Sequence, residues 1–128
     1  MGYRSDVAYV IKFDELAQRD AFITLMHAKN DPHINNALEE IKYRYSKDPI
    51  ITFFCESTKW YENYPDVAVH HKLMRDAVEL YKAEYRFVRV GEDADDIQTQ
   101  QDCAKYDLWE YVYPIRQIGT DFPPVDAA

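Results

Sequence analysis

The chain has 128 residues, of which 47% are hydrophobic and 30% charged, and its formal net charge is −8. This length predicts one domain whose core needs no disulfide or metal to hold it, and the hydrophobic content excludes a disordered acidic chain. The negative charge disfavours direct binding to nucleic acid or to an anionic membrane, and it favours a partner with a basic surface.

The first predicted elements are a strand and two helices. Residues 7–13 alternate strongly apolar side chains with a mixed set, which predicts a strand. Asp14 is the expected cap of a helix that ends near Asn30. Asp31-Pro32 predicts a second helix start, because Asp is a good N-cap and Pro fits the first helical position.

The middle of the chain predicts a strand, a helix and another strand. Residues 50–61 are rich in β-branched and aromatic side chains, which indicates either a long strand or a strand with a kink near Glu56-Ser57. A turn at residues 63–66 leads into a helix whose apolar stripe ends at Tyr81. Alternating residues 85–90 predict a strand that ends at Gly91.

The last predicted strand covers residues 109–118, where Trp109, Tyr111 and Tyr113 alternate with other side chains. The acidic segment before it is too polar for the core and is expected to form a loop. Residues 1–118 are therefore predicted as a single domain. Residues 119–128, which contain two adjacent prolines, are predicted as a C-terminal surface tail.

The element order β-α-α-β-α-β-β predicts an α+β fold. We expect a two-layer sandwich in which about three helices cover one face of a roughly four-stranded sheet. The other face would be open, and the last strand has more aromatic surface than such a sheet can hide. We therefore predict a homodimer with Trp109, Tyr111 and Tyr113 in the interface, and simple burial of these rings is the alternative.

The acidic segment is the strongest functional signal. Residues 92–110 contain seven acids and one base, Lys105. Residues 65–128 have a net charge of −6, whereas residues 1–64 have a net charge of −2. A solvated loop without a partner is one interpretation. The other is a partner-binding surface, formed by Glu92, Asp93, Asp95, Asp96, Asp102, Asp107 and Glu110.

The same acids give little support for a metal site. A calcium loop needs alternating oxygen ligands with a glycine at its sharp turn. Here Gly91 precedes the acids, and the adjacent pair Asp95-Asp96 breaks the alternation. We therefore expect no metal and no cofactor. A small metal-dependent hydrolase built on these carboxylates is the alternative.

The histidines and cysteines also point away from catalysis. His70-His71 are neighbours on a predicted helix, so they point about 100° apart and cannot easily bind one ion. Cys55 and Cys103 lack the CxxC spacing of a redox pair and are expected to be small apolar thiols. No nucleotide-binding or nucleophile motif is present. We therefore expect a protein without enzymatic activity.

The expected location is the cytoplasm. The first residues lack the apolar run of a signal peptide, and no window approaches the length of a membrane-spanning segment. Thiols that stay reduced fit the same compartment.

Three stretches resemble a family of small phage and prophage proteins: MGYRSDV at residues 1–7, KWYENYPDV at 59–67 and FVRVGEDADDI at 87–97. The chain also resembles the small acidic phage inhibitors of bacterial DNA gyrase. That resemblance implies a dimer in the host cytoplasm that presents a DNA-like charge distribution to the gyrase B subunit. It implies no role for any single residue.

We therefore expect an acidic DNA mimic that occupies the basic DNA-binding surface of a host enzyme, with DNA gyrase as the best candidate. The main alternative is a phage interaction or assembly protein that binds its partner through an aromatic surface.

Overall fold

A computed structural model describes residues 2–115 and 118–126 of the chain. Its three α-helices and four-stranded sheet confirm the predicted α+β class and the order β-α-α-β-α-β-β. A short 3-10 helix and a two-stranded hairpin follow. In chain order the elements are β1 (Ser5–Lys12), α1 (Leu16–Ala28), α2 (Pro32–Glu40), β2 (Ile50–Thr58), α3 (Pro65–Tyr81), β3 (Glu84–Gly91), β4 (Ile97–Asp102), the 3-10 helix (Leu108–Glu110), β5 (Val112–Pro114) and β6 (Ile118–Thr120).

The main sheet is antiparallel throughout and has the strand order β2-β1-β3-β4. Of the two alternatives predicted for this strand, the kinked one is observed, because Ser57 has a positive φ of 52° and the pairing of β1 with β2 shifts between Ser5 and Val7. This irregularity interrupts the ladder between β1 and β2, which resumes where Ser5 pairs with Thr58.

Local capping explains where the first two helices begin. As predicted, Asp31 caps α2, since its side chain accepts hydrogen bonds from the backbone N–H groups of His33 (2.8 Å) and Ile34 (3.2 Å). The predicted cap of α1 was wrong. Glu15 forms a capping box with Gln18, which leaves Asp14 free to accept hydrogen bonds from a distant loop.

Asp14 ties the acidic C-terminal half to the start of α1. The Lys105 ammonium group lies 2.9 Å from Asp14 Oδ1, and the Tyr106 hydroxyl donates to the same oxygen over 2.6 Å. The hydrogen bond to Asp14 raises the pKa of Tyr106 to about 12. The one base of the acidic segment is therefore paired outside that segment.

The helices cover one face of the sheet, as predicted. Phe22 and Met26 of α1, and Leu73 and Met74 of α3, pack against Tyr9 and other residues of the first core cluster. All five side chains are almost completely excluded from solvent. Burying a side chain of this size stabilises the fold by about 1.5–3 kcal/mol.

The opposite face is also covered, so the expectation of an open sheet face was wrong. Ala8, Val10 and Val88 point to that side and are fully buried. The C-terminal segment provides the cover, and the buried Arg86 holds it in place by donating from Nε to the carbonyl oxygen of Val112 over 3.0 Å. The covering side chains are Leu108, Tyr111, Val112 and Ile118 of this segment, together with Tyr45 from the chain after α2. With Ala8, Val10 and Val88 they form the second core cluster.

The fourth strand of the sheet is Ile97–Asp102 rather than the predicted segment 109–118. Residues 108–110 form the 3-10 helix, and residues 112–114 pair with residues 118–120 in a separate hairpin. Residues 116 and 117 of the predicted strand lie outside the described residues. Both faces of β4 are exposed, so its sequence contains none of the apolar alternation by which a strand is recognised.

The predicted surface tail also differs from the structure. Gly119 and Thr120 belong to β6, and Phe122 packs against the second core cluster. The backbone N–H of Asp126 donates to the carbonyl oxygen of Arg44 over 3.1 Å. Residues 119–122 therefore continue the cover of the sheet, whereas residues 124–126 are exposed, with Asp126 hydrogen-bonded beside Arg44. Residues 127 and 128 lie outside the described part of the chain.

A buried polar chain connects the core to α2. The Tyr9 hydroxyl lies 2.7 Å from His70 Nδ1, and His70 Nε2 lies 3.2 Å from a Glu40 carboxylate oxygen. Burial raises the pKa of Tyr9 well above its usual value, so its hydroxyl is the donor, and His70 Nε2–H donates to Glu40. Burial lowers the pKa of His70, despite the opposing effect of Glu40.

We predict that the free energy of unfolding falls as the pH drops below 6.5, the ordinary histidine pKa. The pKa values of His70 and His71 are both lowered by burial, so the unfolded chain takes up these protons first. Stability is therefore complete above pH 6.5 and is lost below it, by at most about 1.4 kcal/mol per pH unit for each histidine. Urea unfolding between pH 7.5 and pH 5 measures this loss.

The variant His70→Gln should be less stable at neutral pH and should have a weaker pH dependence in this range. His33→Gln removes an exposed histidine and is the matched control, which should behave like the wild type. A wild-type pH dependence in His70→Gln would contradict the assignment.

Candidate acidic interface

The turn between β3 and β4 presents the first four acids of the acidic segment. Its backbone is closed by three hydrogen bonds, from Gly91 to Asp96 (2.8 Å), from Asp96 to Asp93 (3.0 Å) and from Ile97 to Asp95 (3.1 Å). A Cβ on Gly91 would collide with the Asp96 carboxylate and with the Tyr3 hydroxyl, so any larger residue would displace the side chains that hold the turn. The turn is therefore a fixed structure that holds its carboxylates in place.

Asp96 is the structural member of this turn. Both of its oxygens accept from the Arg89 guanidinium, at 2.8 and 3.1 Å, and the Tyr3 hydroxyl donates to it over 2.6 Å. These bonds, with that from Arg89 as the largest effect, lower the pKa of Asp96. Because its charge is neutralised inside the protein, Asp96 contributes little to a partner-binding field.

The other three acids of the turn differ in how freely they are presented. Glu92 is exposed and accepts from the backbone N–H of Arg4. Asp93 and Asp95 are exposed, and among the described residues neither side chain has a hydrogen bond or an ion pair. The backbone N–H of Asp93 donates to Tyr3 Oη over 3.0 Å, which fixes the residue while leaving its carboxylate in solvent.

The remaining three predicted site residues lie at the other end of β4. Asp102 is the last residue of the strand and is exposed. Asp107 caps the 3-10 helix, because its side chain accepts from the backbone N–H of Trp109 over 3.2 Å. Glu110 is exposed on that helix.

The seven acids therefore form two groups instead of one continuous ridge. The strand between them, from Ile97 to Asp102, spans about 17 Å at about 3.4 Å per residue. Its intervening side chains are Gln, Thr, Gln and Gln, which are uncharged. The structure brings Glu92, Asp93, Asp95 and Asp96 together, and it separates them from Asp102, Asp107 and Glu110.

The three predicted interface aromatics lie in different environments. Tyr111 is buried against the sheet, with 7% of its surface exposed, whereas Trp109 is 52% exposed. The Trp109 and Tyr113 rings are stacked with their centroids 6.0 Å apart, and the Arg86 guanidinium lies 4.7 Å from the Trp109 centroid. The open sheet face on which the homodimer prediction rested is covered; the homodimer itself stays a prediction.

Glu84 is an important acid that the sequence pattern did not single out. This buried residue accepts hydrogen bonds from the backbone N–H groups of three consecutive residues, Ala104, Lys105 and Tyr106. Burial alone would raise its pKa, but the three donors outweigh burial and lower it. Glu84 thus attaches residues 104–106 to strand β3. These residues lie in the loop that bears the second acidic group.

A groove between α3 and the edge of the sheet was also missed. It has a volume of about 490 Å³, and its lining includes the apolar side chains of Met74 and Val78 and the ring of Tyr85. His71 also lines it. Because burial lowers the pKa of His71, its Nε2 is unprotonated and accepts from Trp60 Nε1–H over 3.2 Å. Glu62 lies 3.6 Å from the same nitrogen, too far for a hydrogen bond.

Comparison with known proteins gives no identification, since no family model, curated protein or solved structure matches this chain. Within residues 2–115 and 118–126, no group of three or more His, Cys, Asp or Glu side chains is arranged to hold a metal ion. None of the helices in the described part of the chain combines the length and the apolar character needed to cross a membrane.

We predict that Asp96→Asn lowers the melting temperature, whereas Asp95→Asn leaves it unchanged or raises it. The first substitution removes the charge that pairs with Arg89 and accepts from Tyr3. The second removes one charge from a crowded acidic turn and no contact. Thermal unfolding followed by circular dichroism measures both, and equal melting temperatures for the two variants would contradict the assigned roles.

Proposed function

We propose that this chain is a non-enzymatic DNA mimic, which binds the basic DNA-binding surface of a host protein through its acidic surface. The observation that carries the proposal is the β3–β4 turn, where Asp93 and Asp95 point into solvent from a backbone held by three hydrogen bonds. A turn whose backbone is fixed before binding loses little backbone conformational entropy when the partner arrives. That property supports binding better than a flexible acidic loop would.

The number of charges on the acidic surface decides how much of the binding affinity must come from shape complementarity. Duplex DNA carries one charge per about 1.7 Å of axis, so about ten charges lie along a length equal to β4. The acidic segment contains seven acids, and one of them, Asp96, is neutralised by Arg89. Charge density alone is thus lower than that of DNA. Contacts made by neighbouring side chains must contribute to the affinity and to the choice of partner.

DNA gyrase, and its B subunit in particular, is our candidate partner because of the resemblance to the acidic phage inhibitors. A homodimer is part of the same proposal, since two chains at −8 each would carry −16 together. Long-range attraction of this kind acts over a Debye length of about 8 Å at physiological salt. The complex should therefore weaken as the ionic strength rises.

We predict that Asp93→Asn combined with Asp95→Asn weakens binding to purified gyrase B subunit by at least about tenfold, which corresponds to about 1.4 kcal/mol. Neither carboxylate has a hydrogen-bond or ion-pair partner among the described residues, so we expect the double variant to keep the wild-type fold. Isothermal titration calorimetry at low and high salt measures the affinity, and competition with duplex DNA tests for a shared surface.

The matched control is Glu39→Gln combined with Asp126→Asn, which removes the same charge from α2 and from the segment beside Arg44. This control should bind like the wild type. An equal loss of affinity in both double variants would show that binding depends on the net charge of the chain and not on the β3–β4 turn. If the gyrase B subunit bound duplex DNA and this chain at the same time, the DNA-mimic proposal would be contradicted. A pull-down from bacterial lysate at two salt concentrations provides other candidate partners if gyrase does not bind.

A second candidate function is supported by the exposed Trp109 and its stacking on Tyr113. In this alternative the chain is an interaction protein that uses its aromatic surface, and its complexes should resist salt. We then expect Trp109→Ala to abolish partner binding, whereas Leu80→Ala, which truncates an exposed apolar residue on α3, does not. Salt-sensitive binding that survives Trp109→Ala would exclude this alternative.

A further inference from the structure

Strand β4 leaves one edge of the sheet open. It is the last strand of the order β2-β1-β3-β4, and among the described residues its backbone bonds only to β3 and to the preceding turn. Edge strands are usually protected by lysine, proline, a bulge or a covering segment. The sequence Ile-Gln-Thr-Gln-Gln-Asp has neither lysine nor proline, and its pairing with β3 is regular over all six residues.

The opposite edge of the sheet, formed by β2, is partly protected by another segment of the chain. There, Lys42 and Thr52 exchange two backbone hydrogen bonds of 2.8 Å, so the chain after α2 covers part of β2. The pairing between β1 and β2 also shifts near the end of that strand. Of the two edges, only that of β4 offers an uninterrupted six-residue ladder.

The two faces of β4 have different surroundings. Gln100 lies opposite Phe87 in the register and Asp102 opposite Tyr85, so both point to the helix side and into the groove beside α3. Thr99 lies opposite Val88 and points to the other side. A second hollow of about 410 Å³, which shares Glu62 with the groove, continues along the strand past Gln98.

The chemistry of the groove indicates its ligand. Three acids, Glu62, Glu79 and Asp102, line it together with one arginine, Arg75, and the neutral His71. The same groove is also lined by the apolar side chains of Met74 and Val78 and the ring of Tyr85. Lysine and arginine side chains fit this combination, because their methylene stems lie on apolar surface while their charged ends reach carboxylates.

We propose that β4 and this groove bind an extended basic segment of a partner protein, which adds to the sheet as a fifth strand. Main-chain hydrogen bonds to the open edge provide affinity, and alternate side chains on the helix side provide specificity. Residues of the segment that face the groove are basic, and those between them face Thr99 and are β-branched or polar. This site is separate from the β3–β4 turn and does not depend on the DNA-mimic proposal.

The test uses a synthetic peptide of about eight residues in which lysine alternates with threonine, a length that matches one strand. Its counterpart with glutamate in place of lysine is the charge control. We expect the lysine peptide to shift the backbone amide resonances of β4 and of the groove-lining part of α3, and to slow hydrogen exchange of β4 amides. The glutamate peptide should do neither.

Two variants separate the groove from general charge attraction. Gln100→Lys places a positive charge in the groove and should weaken the lysine peptide by at least about tenfold. Thr99→Lys adds the same charge to the other face of the same strand and should have a much smaller effect, while both keep the wild-type melting temperature. Combined Asp93→Asn and Asp95→Asn should weaken peptide binding much less than Gln100→Lys does, because both carboxylates act on the peptide only at long range.

Several results would overturn the proposal. One is equal weakening by Gln100→Lys and Thr99→Lys, and another is equal binding of the two peptides. Resonance shifts confined to the β3–β4 turn would show adventitious binding of a cation. Protection of β4 amides that grows with protein concentration in the absence of peptide would show that a second copy of this chain occupies the edge.

Discussion

The burial of β1 on both faces is the constraint on which the rest of the structure depends. This central strand has neighbours on both sides, and Val7, Tyr9 and Ile11 face the helices while Ala8 and Val10 face away from them. All five are completely buried, so the sheet needs a cover on each face. The helices supply the first cover. The C-terminal segment supplies the second cover. Arg86 and Glu84 hold this segment through hydrogen bonds with its backbone.

This double cover limits which parts of the molecule can meet a partner. Tyr111 belongs to the second cover, so a dimer through that face would first have to displace part of the core. Among the described residues, the accessible surfaces include the end of the sheet at the β3–β4 turn, the edge of β4 and the stacked pair Trp109 and Tyr113. The turn itself is joined to the fold by Arg89 and Tyr3. The acids of the turn thus have different roles. Asp96 stabilises the turn, whereas Asp93 and Asp95 present their charges to solvent.

The fold class could be predicted because the helices and the first three strands bury one or both faces, and burial leaves a periodic pattern in the sequence. Strand β4 buries neither face and leaves no such pattern. The alternation of Trp109, Tyr111 and Tyr113 imitated a strand, although only Tyr113 lies in one. For the site, the position of the acids along the chain was evident, but their division into two groups depends on β4. The role of Asp96 depends on Tyr3, 93 residues away, and spacing cannot reveal such a partner.

The β3–β4 turn and the edge of β4 bind through different physical interactions, which matters for how they could work together. Exposed carboxylates act over roughly a Debye length, about 8 Å, and increase the rate of encounter with a basic partner. An open strand edge acts only at hydrogen-bonding distance and only on a chain that is already extended, so it mainly slows dissociation. The turn and the edge are consecutive in sequence, from Glu92 to Asp102, and both favour positively charged ligands. A basic partner attracted by the turn would therefore arrive beside the edge, where a flexible basic segment could bind without any change in the fold.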